Sequence, residues 1–184
     1  MSLLGYRIDA LRARLRARWL GLWGLRVGAG AQVHPGARLR HGAGCRLGAR
    51  SILYREVQVL ATAGGRFEIG QDCHLAPGAY LLVGGQRLVI GDGAAIGPGL
   101  MLFCESNDAG GTGPFRQQYR RGDVRIGRNV FIGARVTILP GAQIDDDVVV
   151  AAHAVVRGRL ASGWVYGGSP ARPLRPIVSG RPAA

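Results

Sequence analysis

Four histidines, one loop carboxylate, three cysteines and a group of C-terminal arginines are the residues of this sequence best suited to chemistry. Histidine is the side chain that takes and returns a proton near neutral pH, and the chain carries His34, His41, His74 and His153. Asp108 is a further candidate base. A free carboxylate titrates near 4, so Asp108 needs burial or an apolar setting to serve in that role. Cys45, Cys73 and Cys104 have no metal-ligand spacing. The first two read as small core hydrophobes. Cys104 reads as more exposed, at the root of a polar loop, with no histidine nearby to activate it as a nucleophile. Arg157, Arg172 and Arg175 are of the type that binds phosphate oxygens.

The elements that must position these residues follow from a six-residue repeat. From Ile126 an aliphatic residue recurs at Ile132, Ile138, Ile144, Val150 and Val156. Four positions after each comes a second apolar residue: Val130, Val136, Ala142, Val148, Ala154 and Leu160. Neither helix nor ordinary strand needs this period. A chain that turns a corner every six residues and stacks coil on coil does. The same step runs through Val27, Val33, Leu39 and Cys45, with Ala31, Ala37, Ala43 and Ala49 at inner corners. It continues through Ile69, Leu75 and Leu81 with Cys73, Ala79 and Gly85, then Ile90, Ile96 and Leu102 with Ala94, Leu100 and Ser106. Register breaks between about Ser51 and Glu68, at Arg87 to Val89, and over Cys104 to Asp123. The first break reads as a less regular coil and the second as a bulged corner. The third is a polar, glycine-rich loop of a length that is usually functional.

The chain has 184 residues and a formal net charge of +13. Its length indicates one domain with a modest appendage. No apolar run is long enough to span a membrane and no leader pattern opens the chain, so the expectation is a cytoplasmic protein. The positive charges are scattered over corners without interleaved aromatics, which argues against specific nucleic-acid binding. Residues 1–25 differ from the rest. Leu4, Ile8, Leu11 and Leu15 form a helical stripe among arginines, and Trp19 and Trp23 close the segment. Two roles suit such a helix: a cap on the open end of the coil stack, or a membrane-surface element spanning residues 3–24. The resulting division is helix 1–25, coils 26–165 with a loop at 104–123, and a turn and tail at 166–184, partly disordered beyond about Ile177.

The C-terminal run carries a family resemblance. Ile126-Gly-Arg-Asn-Val-Phe-Ile-Gly-Ala-Arg-Val-Thr-Ile-Leu-Pro-Gly-Ala-Gln-Ile144, then Val150-Ala-Ala-His-Ala-Val-Val156 and Val165-Tyr-Gly-Gly-Ser-Pro-Ala-Arg172, resembles the hexapeptide-repeat acyltransferases. Within them it is most similar to the sugar and polysaccharide O-acetyltransferases and the maltose/galactoside branch. The resemblance implies an all-β, left-handed parallel β-helix, a homotrimer with active sites between subunits, and acetyl-CoA as donor. It assigns donor contacts to Ala134, Ala152, Arg157, Gly158, Arg172 and Arg175. Small corners suit a thin pantetheine arm, and exposed amides there suit its carbonyls.

The resemblance also exposes a departure. The family's catalytic histidine enters the protruding loop, and here that hexapeptide is Leu102-Phe-Cys-Glu-Ser-Asn107. Asn107 cannot act as a base; it can position an acceptor or donate to an oxyanion. His74, in Asp72-Cys-His-Leu-Ala-Pro-Gly78, resembles a His-x-Ala-Pro-Gly run that borders the cleft in sugar N-acyltransferases of this fold. His74 and Asp108 are therefore the candidate replacement bases. His34 and His41 read as surface corners, and His153 as a structural or donor-side contact. The implied activity is acetyl transfer to a sugar or lipid-linked saccharide in cell-surface polysaccharide assembly, at the inner face of the cytoplasmic membrane. The alternatives are an inactive scaffold trimer and, less fittingly, a metal enzyme like the γ-class carbonic anhydrases. No metal ligands are expected, because three converging histidines are not indicated.

Overall fold

A computed structural model describes residues 3–40 and 44–177, apart from the side chains of Leu3, Leu4 and Tyr6. The expectations for His41, Ala43, the Leu4 side chain and the tail beyond Ile177 fall outside these residues. Short strands stack into three sheets of seven, eight and six strands, parallel except for the last strand of the second sheet, forming a left-handed β-helix. One aliphatic side chain per strand points inward. The first sheet stacks Val27, Leu47, Ile69, Ile90, Ile126, Ile144 and Leu160. The second stacks Val33, Leu53, Leu75, Ile96, Ile132, Val150 and Tyr166. The third stacks Leu39, Val59, Leu81, Leu102, Ile138 and Val156. All except Val27 and Leu39 are buried. Each such side chain contributes about 1.5–3 kcal/mol when fully buried, so one per six residues sustains the core.

The corners explain the second apolar column. Ala31, Ser51, Cys73, Ala94, Val130 and Val148 are buried between the first and second sheets; Ala37, Val57, Ala79, Leu100, Val136 and Ala154 are buried between the second and third. Ser51 is polar but satisfied: its Oγ donates to the Gly70 carbonyl at 2.7 Å and accepts from the Cys73 amide at 2.9 Å. Outside the buried corner the backbone turns left-handed even at non-glycine residues, including Arg50, Asp72, Asn129 and Asp147. Asp and Asn tolerate this region better than most residues.

Several expectations need correction. Cys45 does not open the second turn. It pairs with Phe67, and Leu47 takes the strand position. The turn from Ser51 is regular, because Leu53 and Val59 keep the step that Ile52 obscured. Leu160 is a strand residue opposite Ile144, since the last turn is shortened and Tyr166 closes the stack. Ala49, Gly85 and Ser106 are not buried corners, Ser51 taking that place in the turn after Leu47, and Cys104 is buried rather than exposed.

Every departure from the six-residue step falls at one vertex, between the third and first sheets. Leu39 to Leu47 takes eight residues, Val59 to Ile69 ten, Leu81 to Ile90 nine and Leu102 to Ile126 twenty-four. The longest excursion is the protruding loop. It leaves through Glu105–Asn107 and returns antiparallel through Tyr119–Arg121. At the other end of the stack, the helix Leu3–Leu22 lies across the first coil. Ala13 and Ala17 are wholly buried there, and Leu20 packs against the core. Arg16 donates to the carbonyls of His34 and Ala37, and Arg55 pairs with Asp9 at 3.1 Å.

Candidate functional site

The third sheet is flanked by two vertices that carry most of the candidate residues. The vertex before it holds Ala134 and Ala152, one above the other, with the His153 amide donating to the Ala134 carbonyl at 2.9 Å. Packing keeps this vertex slim: a Cβ on Gly133 would lie 2.5 Å from the Ala152 nitrogen. The amides of Ala134 and Ala152 themselves donate to no described group. The vertex after the third sheet holds Arg157 and Gly158, the latter in the left-handed region. Arg172 and Arg175 lie elsewhere, on an exposed antiparallel strand that pairs with Trp164–Gly167 at the end of the second sheet.

Electrostatics separate these arginines from six others. Arg50, Arg55, Arg87, Arg121, Arg128 and Arg159 each pair with a carboxylate. Arg157, Arg172 and Arg175 have no carboxylate partner among the described residues. Exposed, unpaired guanidinium groups are available to anionic ligands.

The structure divides the candidate bases. Asn107 and Asp108 share the loop. The Asn107 Nδ2 donates to the Phe115 carbonyl at 2.8 Å and lies 3.5 Å from the Gln118 carbonyl. Its amide group therefore holds the loop closed. One Asp108 oxygen accepts from the Gly110 amide at 3.1 Å, a local turn rather than an apolar pocket. His74 faces outward from the second sheet, opposite the vertex that carries the loop. One chain cannot bring it to Asp108.

His74 has neighbours that sequence reading missed. Its ring meets Tyr54 edge-on at 6.4 Å, and Tyr54 stacks on His34 at 5.2 Å. The signal was available: His34 and Tyr54 are one twenty-residue coil apart. Burial holds the His34 imidazole below its ordinary pKa, with Arg55 adding to the effect and Asp9 opposing it. Ala95, the strand neighbour of His74, lines a groove of about 540 Å³ with Phe131, Val149 and Ile177. Phe131 is half exposed there. His74 thus stands one strand away from a groove of mixed lining, half-buried and without a seat in the groove itself.

Cys104 is not a nucleophile candidate. Burial pushes its thiol pKa up to about 12. Among the described residues no cluster of three or more His, Cys, Asp or Glu could hold a metal ion.

Comparison with known proteins agrees with this architecture. Residues 123–158 match the bacterial transferase hexapeptide (six repeats) family. The galactoside O-acetyltransferase of Escherichia coli is 28% identical over 122 residues, covering 60% of this chain and 57% of that protein. The chain spans between about a third and three fifths of the length of curated relatives it matches. Among solved structures, AntD, an N-acyltransferase from Bacillus cereus, superposes with a TM-score of 0.77 at 23% identity, covering 86% of this chain and 87% of that one. That structure, a variant of AntD, is a complex with dTDP-4-amino-4,6-dideoxyglucose and coenzyme A. PerB from Caulobacter crescentus, in complex with CoA and GDP-perosamine, gives a TM-score of 0.59 at 23% identity over 89% of this chain and 66% of that one. Three stacked sheets, one aliphatic residue per six positions and the match at residues 123–158 are what this chain shares with the hexapeptide-repeat, left-handed β-helix acyltransferases.

Proposed function

We propose that the protein is an acetyl-CoA-dependent O-acetyltransferase whose acceptor is a sugar or lipid-linked saccharide of cell-surface polysaccharide assembly. The observation that carries this reading is the slim vertex at Ala134 and Ala152, where two stacked amides lack partners. A pantetheine arm fits along such an edge and its carbonyls accept from those amides. Arg157, Arg172 and Arg175 supply cations for the nucleotide phosphates. Complexes of the solved neighbours with coenzyme A and sugar nucleotides support the same donor and acceptor classes.

In this reading the acceptor oxygen attacks the thioester carbonyl carbon, a base takes the hydroxyl proton, and the carbon–sulfur bond breaks to release the CoA thiol. His74 is the base we favour, because it is half-buried beside Tyr54, one strand from the groove at Ala95, while Asp108 is held in a local turn. His74 lies on the second sheet and Ala134 and Ala152 at that sheet's edge; in this reading a homotrimer completes the site, with the second sheet of one protomer meeting the donor edge of the next. The cytoplasm, where acetyl-CoA is available, is the compartment it implies.

Calorimetric titration of CoA tests the donor. The native protein should bind, and Ala152→Trp, at an exposed corner, should weaken binding at least tenfold without lowering the melting temperature. Unchanged binding in that variant overturns the donor edge. Acetyl transfer to saccharide acceptors, followed by thiol release, tests the base. His74→Ala should lower turnover about 10²-fold or more while CoA still binds.

A second reading has a specific observation in its favour. Asn107 is spent on closing the loop and no histidine stands in the loop, so the acceptor nucleophile there has no resident base. A sugar amine is nucleophilic in its neutral form and needs less help than a hydroxyl. Amino-sugar acceptors that are turned over by His74→Ala as well as by the native protein would favour N-acetylation. Failure of both acceptor types, with CoA still bound, would favour a non-catalytic trimer.

A further inference from the structure

We propose that the helix Leu3–Leu22 is a docking element for an anionic phospholipid surface, an inference independent of which acceptor the enzyme uses. The helix has two apolar faces with different sizes of side chain. Ala13, Ala17 and Leu20 sit against the first coil, and Asp9 and Arg16 on the same side are engaged with Arg55 and with the carbonyls of His34 and Ala37. These contacts fix the rotation of the helix about its axis.

The other face is thereby turned outward. At about 100° per residue, Ile8, Leu11, Leu15, Trp19 and Leu22 fall within an arc of about 80°. They are 42%, 57%, 55%, 55% and 83% exposed. Trp23 follows, 70% exposed, with its ring 5.9 Å from that of Trp19. A continuous exposed stripe of this kind marks an interaction site.

Charge selects the occupant. Arg7, Arg14 and Arg18 border one side of the stripe and Arg12 the other; all four are exposed and none has a carboxylate partner among the described residues. Asp9 is the only acidic residue in the helix, and it faces Arg55. A second copy of the same helix would bring arginine against arginine with no acid to match it. A protein groove needs acidic rims, whereas a bilayer carrying anionic headgroups supplies both the apolar layer and the negative border. Large apolar side chains, flanking arginines and terminal tryptophans are the composition of a helix lying in the interface plane. No described helix is long and apolar enough to cross a membrane, so the helix lies on the surface.

The test is co-sedimentation of the full chain with vesicles of phosphatidylcholine alone and of phosphatidylcholine mixed with phosphatidylglycerol. The native protein should pellet with the anionic vesicles and far less with the neutral ones. Leu11→Ser/Leu15→Ser and Arg14→Gln/Arg18→Gln, at exposed positions, should keep the native melting temperature and partition about tenfold less, or weaker still. If the native chain stays in the supernatant, or both variants pellet as it does, the proposal is wrong. If the leucine variant instead lowers the sedimentation-velocity mass while lipid binding is absent, the stripe joins copies of this chain and the lipid assignment is overturned.

Discussion

Burial, rather than sequence position, decides what the individual reactive groups can do. The Cys104 and Cys45 thiols have pKa values raised to about 12 and about 11 by desolvation, and that of Cys73 is raised for the same reason. A thiol titrates near 8.5 in the unfolded chain. Because the folded values are higher, the native state favours the protonated form. That contribution is complete below about pH 8.5 and is lost as pH rises towards the folded values. Unfolding free energy measured in urea should therefore be lower at about pH 10 than at about pH 7, by about 1–2 kcal/mol for each of Cys104 and Cys45, with Cys73 acting in the same direction. Cys104→Val should remove its share of the difference. A different constraint acts on glycine. A Cβ at Gly48 would lie 2.3 Å from the carbonyl carbon and oxygen of Gly70 in the next coil. Backbone cannot yield as a side chain can, so Gly48→Ala should cost about 2–3 kcal/mol and lower the melting temperature by about 5–10 °C.

At the scale of elements, the helix makes the sharpest contrast between its two faces. Ala17 has no exposed surface against the first coil, and Leu15, two residues away, is 55% exposed. Ala17→Leu should destabilise by about 1–3 kcal/mol through overpacking, and Leu15→Ala should stay within about 0.5 kcal/mol. Equal effects in thermal melts would mean that the helix does not rest on its alanine face. Most of the coil architecture was legible because one buried aliphatic residue per strand leaves a period that survives noise, as at Ile126 to Val156. It failed where outward positions are apolar too. Ile52 points outward beside the inward Leu53, and hydropathy alone does not separate them. Leu160 was misread because a shortened turn moves a corner residue into a strand. The site was less legible for a related reason. The Asn107 amide is committed to Phe115, a partner that only the antiparallel return of the loop brings near. Tyr54 reaches His74 from the preceding coil, a contact that depends on stacking phase rather than on local sequence.

For the whole molecule, the decisive asymmetry is that one vertex of the prism absorbs every insertion. The first and second vertices keep the step throughout, with buried inner residues and backbones that touch the next coil. At Gly97, for example, a Cβ would meet the Ala134 nitrogen at 2.8 Å, and at Gly133 the Ala152 nitrogen at 2.5 Å. The third vertex opens outward, and the loop it carries is held mainly by its own bonds: Asn107 to Phe115, Asp108 to Gly110 and Gln118 to Gly113. Removing residues 109–113 should consequently leave the melting temperature within a few degrees of native, while abolishing acetyl transfer if the loop forms the acceptor site. Adding a single residue between Ile132 and Gly133 should do the opposite. It would turn Val136, Ile138 and every later inward side chain out of phase, and the coils beyond would lose their core. Circular dichroism and thermal melts of the two variants distinguish these outcomes. A stable insertion variant would show that the stacked vertices do not set the phase of the coil.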